Sequence, residues 1–361
     1  MKKLLITNLL VLAVLVGLCE AVAYVWLQKV EPQELVYGSD TFLQKVYGEN
    51  WQDYKQLMAE QGRNLYYKPF VEYAERPVDG RFMNVTGQHV RANRDEQPEL
   101  VGGKGTVYVF GGSTTFGYGV KDNETIPAAL ERALSGKYKV FNLGAGGYYS
   151  TIERIRFLNL LAEGFVPEVA VFVDGLNDFY HTQVPDESWL SPQIAKTLEF
   201  DPLWWLRGQV MEMARFSSSA RFLVKLVRGQ QDEEVALPDA APADKLERVT
   251  TRLTHNRVTL AGVCKAYGIR CLFVQQPVPT YHYDGSRTLA PAKYVRLNVG
   301  QHVNSGKGYE MMAARRAELD REVPTLWLQD LAIDGPMYVD TVHYTPAFNA
   351  VIAAEIAKAI R

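Results

Sequence analysis

The stretch "GTVYVFGGSTTFGYG", residues 105–119, decides how the rest of the chain is read. A largely apolar run from Thr106 to Phe110 has the continuous pattern of a strand buried on both faces. It stops at Gly111 and Gly112, and Ser113 follows with little side chain around it. A plain tight turn is one reading, since glycine punctuates strand ends generally and serine is an ordinary turn residue. A nucleophile held where a substrate carbonyl can come close to the backbone is the other. The remainder of the sequence has to choose between them.

Outward from this stretch, strands and helices alternate. "ETIPAALERAL" (124–134) reads as a helix and "YKVFNLG" (138–144) as a second strand. "STIERIRFLNLLAEG" (150–164) reads as a helix, with Ser150 and Glu153 at capping-box spacing and Gly164 as its stop. "VPEVAVFVDG" (166–175) is a third strand. A long helix near 245–267 leads to "IRCLFVQQP" (269–277), the fourth, and "PTLWLQDL" (324–331) holds a fifth. A last helix opens at Thr345-Pro346. This order predicts an α/β fold: a parallel sheet with helices on both faces. Ligands of such sheets bind beyond the carboxyl ends of the strands. Ser113, "GAGG" (144–147), "GLND" (175–178) and "DTVH" (340–343) all fall at that rim.

Acyl transfer needs a nucleophile, a base, a group that orients the base, and donors for the oxyanion. Ser113 supplies the hydroxyl. Of the six histidines, at 89, 181, 255, 282, 302 and 343, only His343 falls at the rim with a carboxylate at short spacing, Asp340. Three residues apart on a loop, the aspartate can engage one ring nitrogen and leave the other for Ser113. Taken singly, each feature has a blander reading as a turn, a cap or a packing residue. Their meeting at one rim favours catalysis. Backbone N–H groups of Ser113 and Gly147 and the Asn177 amide are the candidate oxyanion donors. Phe116, Tyr118, Tyr148 and Tyr149 read as packing more readily than as a sugar platform.

These residues resemble the SGNH (GDSL-type) hydrolases. "FGGSTTFG" looks like that family's first block, "NLGAGG" its second, "GLND" its third and "DTVH" its fifth, in family order, over about residues 105–361. The resemblance implies a three-layer α/β/α flavodoxin-like domain with strand order 2-1-3-4-5. It implies Ser113, His343 and Asp340 as a catalytic triad and Ser113, Gly147 and Asn177 as the oxyanion hole, with Gly147 preferred to Gly144 by its offset from Asn142. It implies an esterase of acyl or acetyl esters that needs neither metal nor cofactor. The departure is Gly112, where the family motif carries aspartate.

The chain has 361 residues, is 47% hydrophobic and 22% charged, and has a formal net charge of −2, so no basic field argues for nucleic acid. The segment "MKKLLITNLLVLAVLVGLCEAVAYVWLQK" (1–29) places two lysines before an apolar run interrupted at Glu20. It reads as a membrane anchor at 1–28, with a signal peptide cleaved after Ala21-Val22-Ala23 as the competing reading. Both readings put the rest outside the cytoplasm, at the periplasmic or extracellular face. Residues 29–104 read as an irregular N-terminal extension, and 105–361 as the hydrolase domain. Its insertion at 178–244 holds a helical stretch with Trp204 and Trp205, read as packing within the insertion, and a polar acidic loop at 230–245. Cys264 and Cys271 read as buried thiols rather than a disulfide. No Cys/His cluster has metal-ligand spacing. The expected partners are an ester substrate, with an acylated glycan as one form, and the membrane. Two alternatives stay open: an O-acyltransferase acting on a cell-envelope polysaccharide, and a non-catalytic envelope binding module.

Overall fold

A computed structural model describes residues 2–30, 33–62, 65–94, 98–182, 217–220, 222–223, 237–282 and 285–361. Most of the insertion, Trp204 and Trp205 included, lies outside the described residues. The chain divides into two compact units, Met1–Ser39 with Val184–Val235, and Asp40–Gln183 with Ala236–Arg361.

The second unit is built on a five-stranded sheet. Four short strands precede it in the chain: β1 (Leu65–Tyr67) pairs antiparallel with β2 (Tyr73–Glu75), and β3 (Val78–Asp79) with β4 (Asn84–Val85). The sheet itself comprises β5 (Gly103–Gly111), β6 (Lys139–Asn142), β7 (Pro167–Asp174), β8 (Arg270–Gln275) and β9 (Thr325–Trp327), ordered β6-β5-β7-β8-β9 and parallel throughout. Counting only these five gives 2-1-3-4-5, the order implied by the resemblance.

Side chains alternate across a strand, and here both sides are apolar. Val107, Val109, Val169, Val171 and Val173 point to one face and pack with the helices Ile126–Ala133 and Pro346–Ile360. Tyr108, Phe110, Ala170 and Phe172 point to the other and pack with Ser150–Ala162 and Ala243–Tyr267. The result is three layers, α/β/α. Full burial of such a side chain contributes about 1.5–3 kcal/mol. Thr125 and Thr345 cap their helices by accepting the N–H of Ala128 and Phe348, with Pro127 and Pro346 in the first turns.

Three sequence expectations are corrected, and one group of helices had no sequence reading at all. The extension is not irregular: it forms the helices Asp40–Tyr47 and Trp51–Gln61 and two hairpins, and Tyr54, Leu57, Met83 and Val85 share a cluster with Phe116. Ser150 and Glu153 form no capping box; the Ser150 hydroxyl donates to Asp178 (2.5 Å) and Glu153 is buried. Cys264 and Cys271 are joined as a disulfide with Cα atoms 6.1 Å apart, an ordinary span for one. Between β8 and β9 lie the helices Ala292–Asn298, Val303–Ala314 and Arg316–Glu322, hidden in the sequence because glycines 300, 306 and 308 break the apolar period.

In the first unit, Lys2–Val30 is one helix, and its Ile6–Leu27 stretch has the length and hydropathy (mean 2.3) to cross a membrane. Its single carboxylate, Glu20, accepts from the Ser217 hydroxyl (2.5 Å) and the Ser218 N–H (2.7 Å). Trp26 meets Phe222 edge to face at 4.8 Å.

Candidate active site

Ser113 stands at the carboxyl end of β5 and opens the helical turn Ser113–Phe116. The turn needs glycine at 112: a Cβ there would overlap the Asn177 amide nitrogen and press on the Tyr148 carbonyl oxygen. The missing motif aspartate thus has a local cause, since the space is filled. Gly117 ends the turn in the left-handed region, φ 95°.

The loop after β9 brings the other two residues. Asp340 Oδ1 accepts the N–H groups of Val342 and His343, both at 2.9 Å, which ties the loop into a tight turn. Asp340 Oδ2 lies 2.7 Å from His343 Nδ1, and His343 Nε2 lies 2.9 Å from Ser113 Oγ. An ionised carboxylate only accepts, so Nδ1 carries the proton and Nε2 is left to accept from the serine hydroxyl. Burial raises the Asp340 carboxyl, but His343 and the two N–H donors outweigh it and hold it below the usual carboxylate range. The Tyr118 ring packs against His343, centroids 5.5 Å apart.

The loop after β6 packs on the turn that Ser113 opens, Gly144 lying against the backbone of Thr115 and Phe116. The Gly144 N–H donates to Asn142 Oδ1 (3.1 Å) and the Gly146 N–H to Glu75 Oε1 (2.8 Å). The N–H groups of Ser113 and Gly147 have no acceptor among the described residues. Asn177 donates one amide hydrogen to the Tyr148 carbonyl (2.8 Å), which leaves the second. Gly147 has φ 73°, and the Tyr73 hydroxyl lies 2.8 Å from where its Cβ would stand. Within the buried runs 141–150, 171–179 and 337–345, the one partly exposed residue of each is Gly147, Asn177 and His343. Gly147, Asn177 and His343, all singled out in sequence, are thus the partly exposed positions of three otherwise buried stretches.

Several residues here carry no sequence signal. Arg91 is fully buried and donates to the carbonyls of Phe116 (2.8 Å), Gly117 (2.6 Å) and Val120 (2.8 Å) while pairing with Asp122 (2.8 Å). It fastens the segment that follows Ser113. Burial pushes the Asp122 carboxyl up, and the Arg91 and Asn84 bonds offset only part of that. Glu75 takes the Tyr118 hydroxyl (2.9 Å) as well as Gly146, linking the extension to both sides of the site. His181 Nε2 is 3.2 Å from the Gly147 carbonyl. His302 meets the Tyr180 ring at 4.7 Å, and its Nδ1 is buried without a partner among the described residues. Burial and the neighbouring charges of His343 and His181 depress His302 to about 4.

No family model and no curated protein matches this chain. Solved structures do match. One is a carbohydrate acetylesterase, Est24, from Sinorhizobium meliloti, 13% identical, spanning 71% of this chain and 98% of its own, TM-score 0.38. Another is a GDSL-like lipase from Bacteroides thetaiotaomicron VPI-5482, 12% identical, spanning 71% and 87%, TM-score 0.38. The three-layer architecture and the Ser113–His343–Asp340 row stand on this chain's own geometry.

Proposed function

We propose that the protein is an exported, membrane-anchored serine esterase acting on short acyl esters, acetyl esters foremost. The observation that carries this reading is the row Asp340–His343–Ser113, 2.7 and 2.9 Å long, beside two unengaged backbone N–H groups. In the proposed reaction His343 Nε2 takes the Ser113 proton as Oγ bonds to the ester carbonyl carbon. The oxyanion that forms is met by the N–H groups of Ser113 and Gly147 and the free Asn177 hydrogen. Removing one such donor typically costs about 10²–10³-fold in kcat. His343 then gives its proton to the leaving alcohol oxygen, which departs and leaves an acyl-serine. A water, deprotonated by the same nitrogen, attacks that ester, and the carboxylic acid leaves as Ser113 regains its proton. Asp340 keeps the imidazole in the required tautomer throughout.

The Tyr73 hydroxyl against Gly147 and the Tyr118 ring against His343 crowd the site, which suits a short acyl group. Export is supported by the N-terminal apolar helix, by Lys2 and Lys3 ahead of it, and by the Cys264–Cys271 disulfide, a bond that persists in oxidising compartments. The test is covalent labelling by a fluorophosphonate together with hydrolysis of 4-nitrophenyl acetate. Labelling at Ser113 that is lost in Ser113→Ala, with hydrolysis lost in parallel, supports the reading. An unlabelled, inert wild-type protein points instead to a binding module. Supplying a glycan acceptor decides whether water or a sugar hydroxyl takes the acyl group.

A further inference from the structure

A cavity of about 230 Å³ lies behind the loop that carries Gly147, lined by Lys68, Gln88, Arg156, Asn159, Tyr148 and Glu163 among others. Two of these residues are cations, and neither forms an ion pair among the described residues. Arg156 is 7% exposed. It donates through Nη1 to the Leu143 carbonyl (2.9 Å) and through Nη2 to the His89 carbonyl (2.6 Å), both uncharged acceptors. Its guanidinium lies 5.8 Å from the Tyr148 ring centroid, a favourable but weak contact. Lys68 is half-buried, and burial with the nearby Arg156 charge pulls its ammonium below the usual lysine range.

The nearest carboxylates, Glu75 and Glu153 for Arg156 and Glu163 for Lys68, act on these charges at longer range than an ion pair. His89 spends both ring nitrogens, on the Glu75 carbonyl and the Tyr66 hydroxyl, each at 2.9 Å, and burial holds it neutral down to about pH 4. Glu163 stands exposed at the rim, outside ion-pair distance of either cation. The Gln88 oxygen accepts the Leu100 N–H (3.1 Å), which leaves its NH₂ to donate, and the Asn159 amide has no partner among the described residues. Four donors, two of them charged, thus surround a space much larger than a water molecule's share of volume. Folded proteins pair a buried charge because leaving it unpaired is costly.

We propose that this cavity binds a small organic carboxylate, held by Lys68 and Arg156, with Gln88 and Asn159 completing its hydrogen bonds. A bare inorganic ion would leave the apolar side of the cavity, Val71, Leu160 and Phe165, uncovered; a carboxylate carried on a few carbons covers it. The site is separate from Ser113 and does not depend on the esterase reading. Tyr148 forms one wall, and its carbonyl holds Asn177, so the cavity lies one side chain from the proposed oxyanion donors.

The test is calorimetric titration of the full chain in detergent, with Ser113 replaced by alanine so that no turnover contributes. D-glucuronate, propionate and inorganic phosphate serve as probes at constant ionic strength set with chloride. A carboxylate should bind with about 1:1 stoichiometry, and Lys68→Met should weaken it at least about tenfold, the worth of one charge-assisted bond. Asn159→Leu, at a half-exposed position, should weaken it as well and leaves the buried Arg156 bonds in place. Carboxylate binding unchanged in both variants overturns the site. Absence of binding up to about 50 mM, an affinity too weak to matter, overturns it too. Binding of phosphate without either carboxylate overturns the ligand class.

Discussion

At the scale of the residue, Gly112 is the sharpest test of how this chain departs from the motif it resembles. Asn177 and the Tyr148 carbonyl occupy the space a side chain would need. Gly112→Asp, which restores the motif residue, is therefore expected to lower kcat on 4-nitrophenyl acetate by at least about tenfold, because it displaces the Asn177 amide. A gain in activity would show that the gap at 112 is free. Asp340→Asn is the second expectation. The amide has N–H groups where the carboxylate has lone pairs and favours the wrong imidazole tautomer, so kcat should fall by about 10⁴-fold, as in a well-studied protease triad, with little change in melting temperature. The meeting of Ser113, Asp340 and His343 was legible in sequence because each falls in a glycine- or aspartate-bearing rim block. Arg91 and Glu75 were not, because their partners lie from 25 to 71 residues away and only the folded chain brings them together.

At the scale of the element, the strands were readable and some helices were not, for one physical reason. β5 and β7 are buried on both faces and are apolar almost without interruption, whereas Trp51–Gln61 buries only Tyr54, Leu57 and Gln61 and mixes them with charge. That extension nonetheless reaches the site. Arg91 bridges to Asn142 at the β6 edge of the sheet and spends its side chain on the segment after Ser113. Removing one partner of a buried ion pair costs about 3–5 kcal/mol, since the other is left uncompensated. Arg91→Met should therefore lower stability by about that amount in urea unfolding. Arg91→Lys should recover little of it, because one ammonium cannot serve acceptors that a planar fork reaches together. Full stability in Arg91→Lys would show that charge alone matters here. The disulfide gives a simpler check: the purified protein should gain about 2 Da on reduction, one hydrogen for each of Cys264 and Cys271.

At the scale of the whole molecule, acid and the N-terminal apolar helix each give a test. His302 has an ordinary value of 6.5 and is depressed to about 4 by burial, with His343 and His181 adding repulsion and Asp340 opposing them. Its folded value lies below its unfolded one, so between about pH 6.5 and 4 the unfolded chain binds more protons. Its contribution to stability is complete above about 6.5 and is lost as the pH falls through that window. His302→Gln should consequently show a smaller drop in melting temperature from pH 7 to pH 4.5 than the wild type, and an equal drop would remove this cause. The membrane expectation rests on Glu20. A carboxylate within an apolar helix costs roughly 2.5 kcal/mol or more at mid-bilayer, and in sequence it was the argument against an anchor. In the structure that carboxylate is engaged by Ser217 and Ser218, and Trp26, beyond the possible cleavage site at Ala23, packs on Phe222. Cleavage after Ala23 would take Glu20 away from Ser217 and Ser218, whereas Trp26 and its contact with Phe222 would remain. The mature protein is thus expected to keep residues Leu4 to Leu27 and to leave the membrane only with detergent. Intact-mass measurement of the purified protein decides it. A soluble chain that begins at Tyr24 would mean the helix is a leader and the Glu20 contacts are lost on maturation. A retained N-terminus, with Glu20→Ala lowering the yield of membrane-bound protein, is the outcome expected of an anchor held by those contacts.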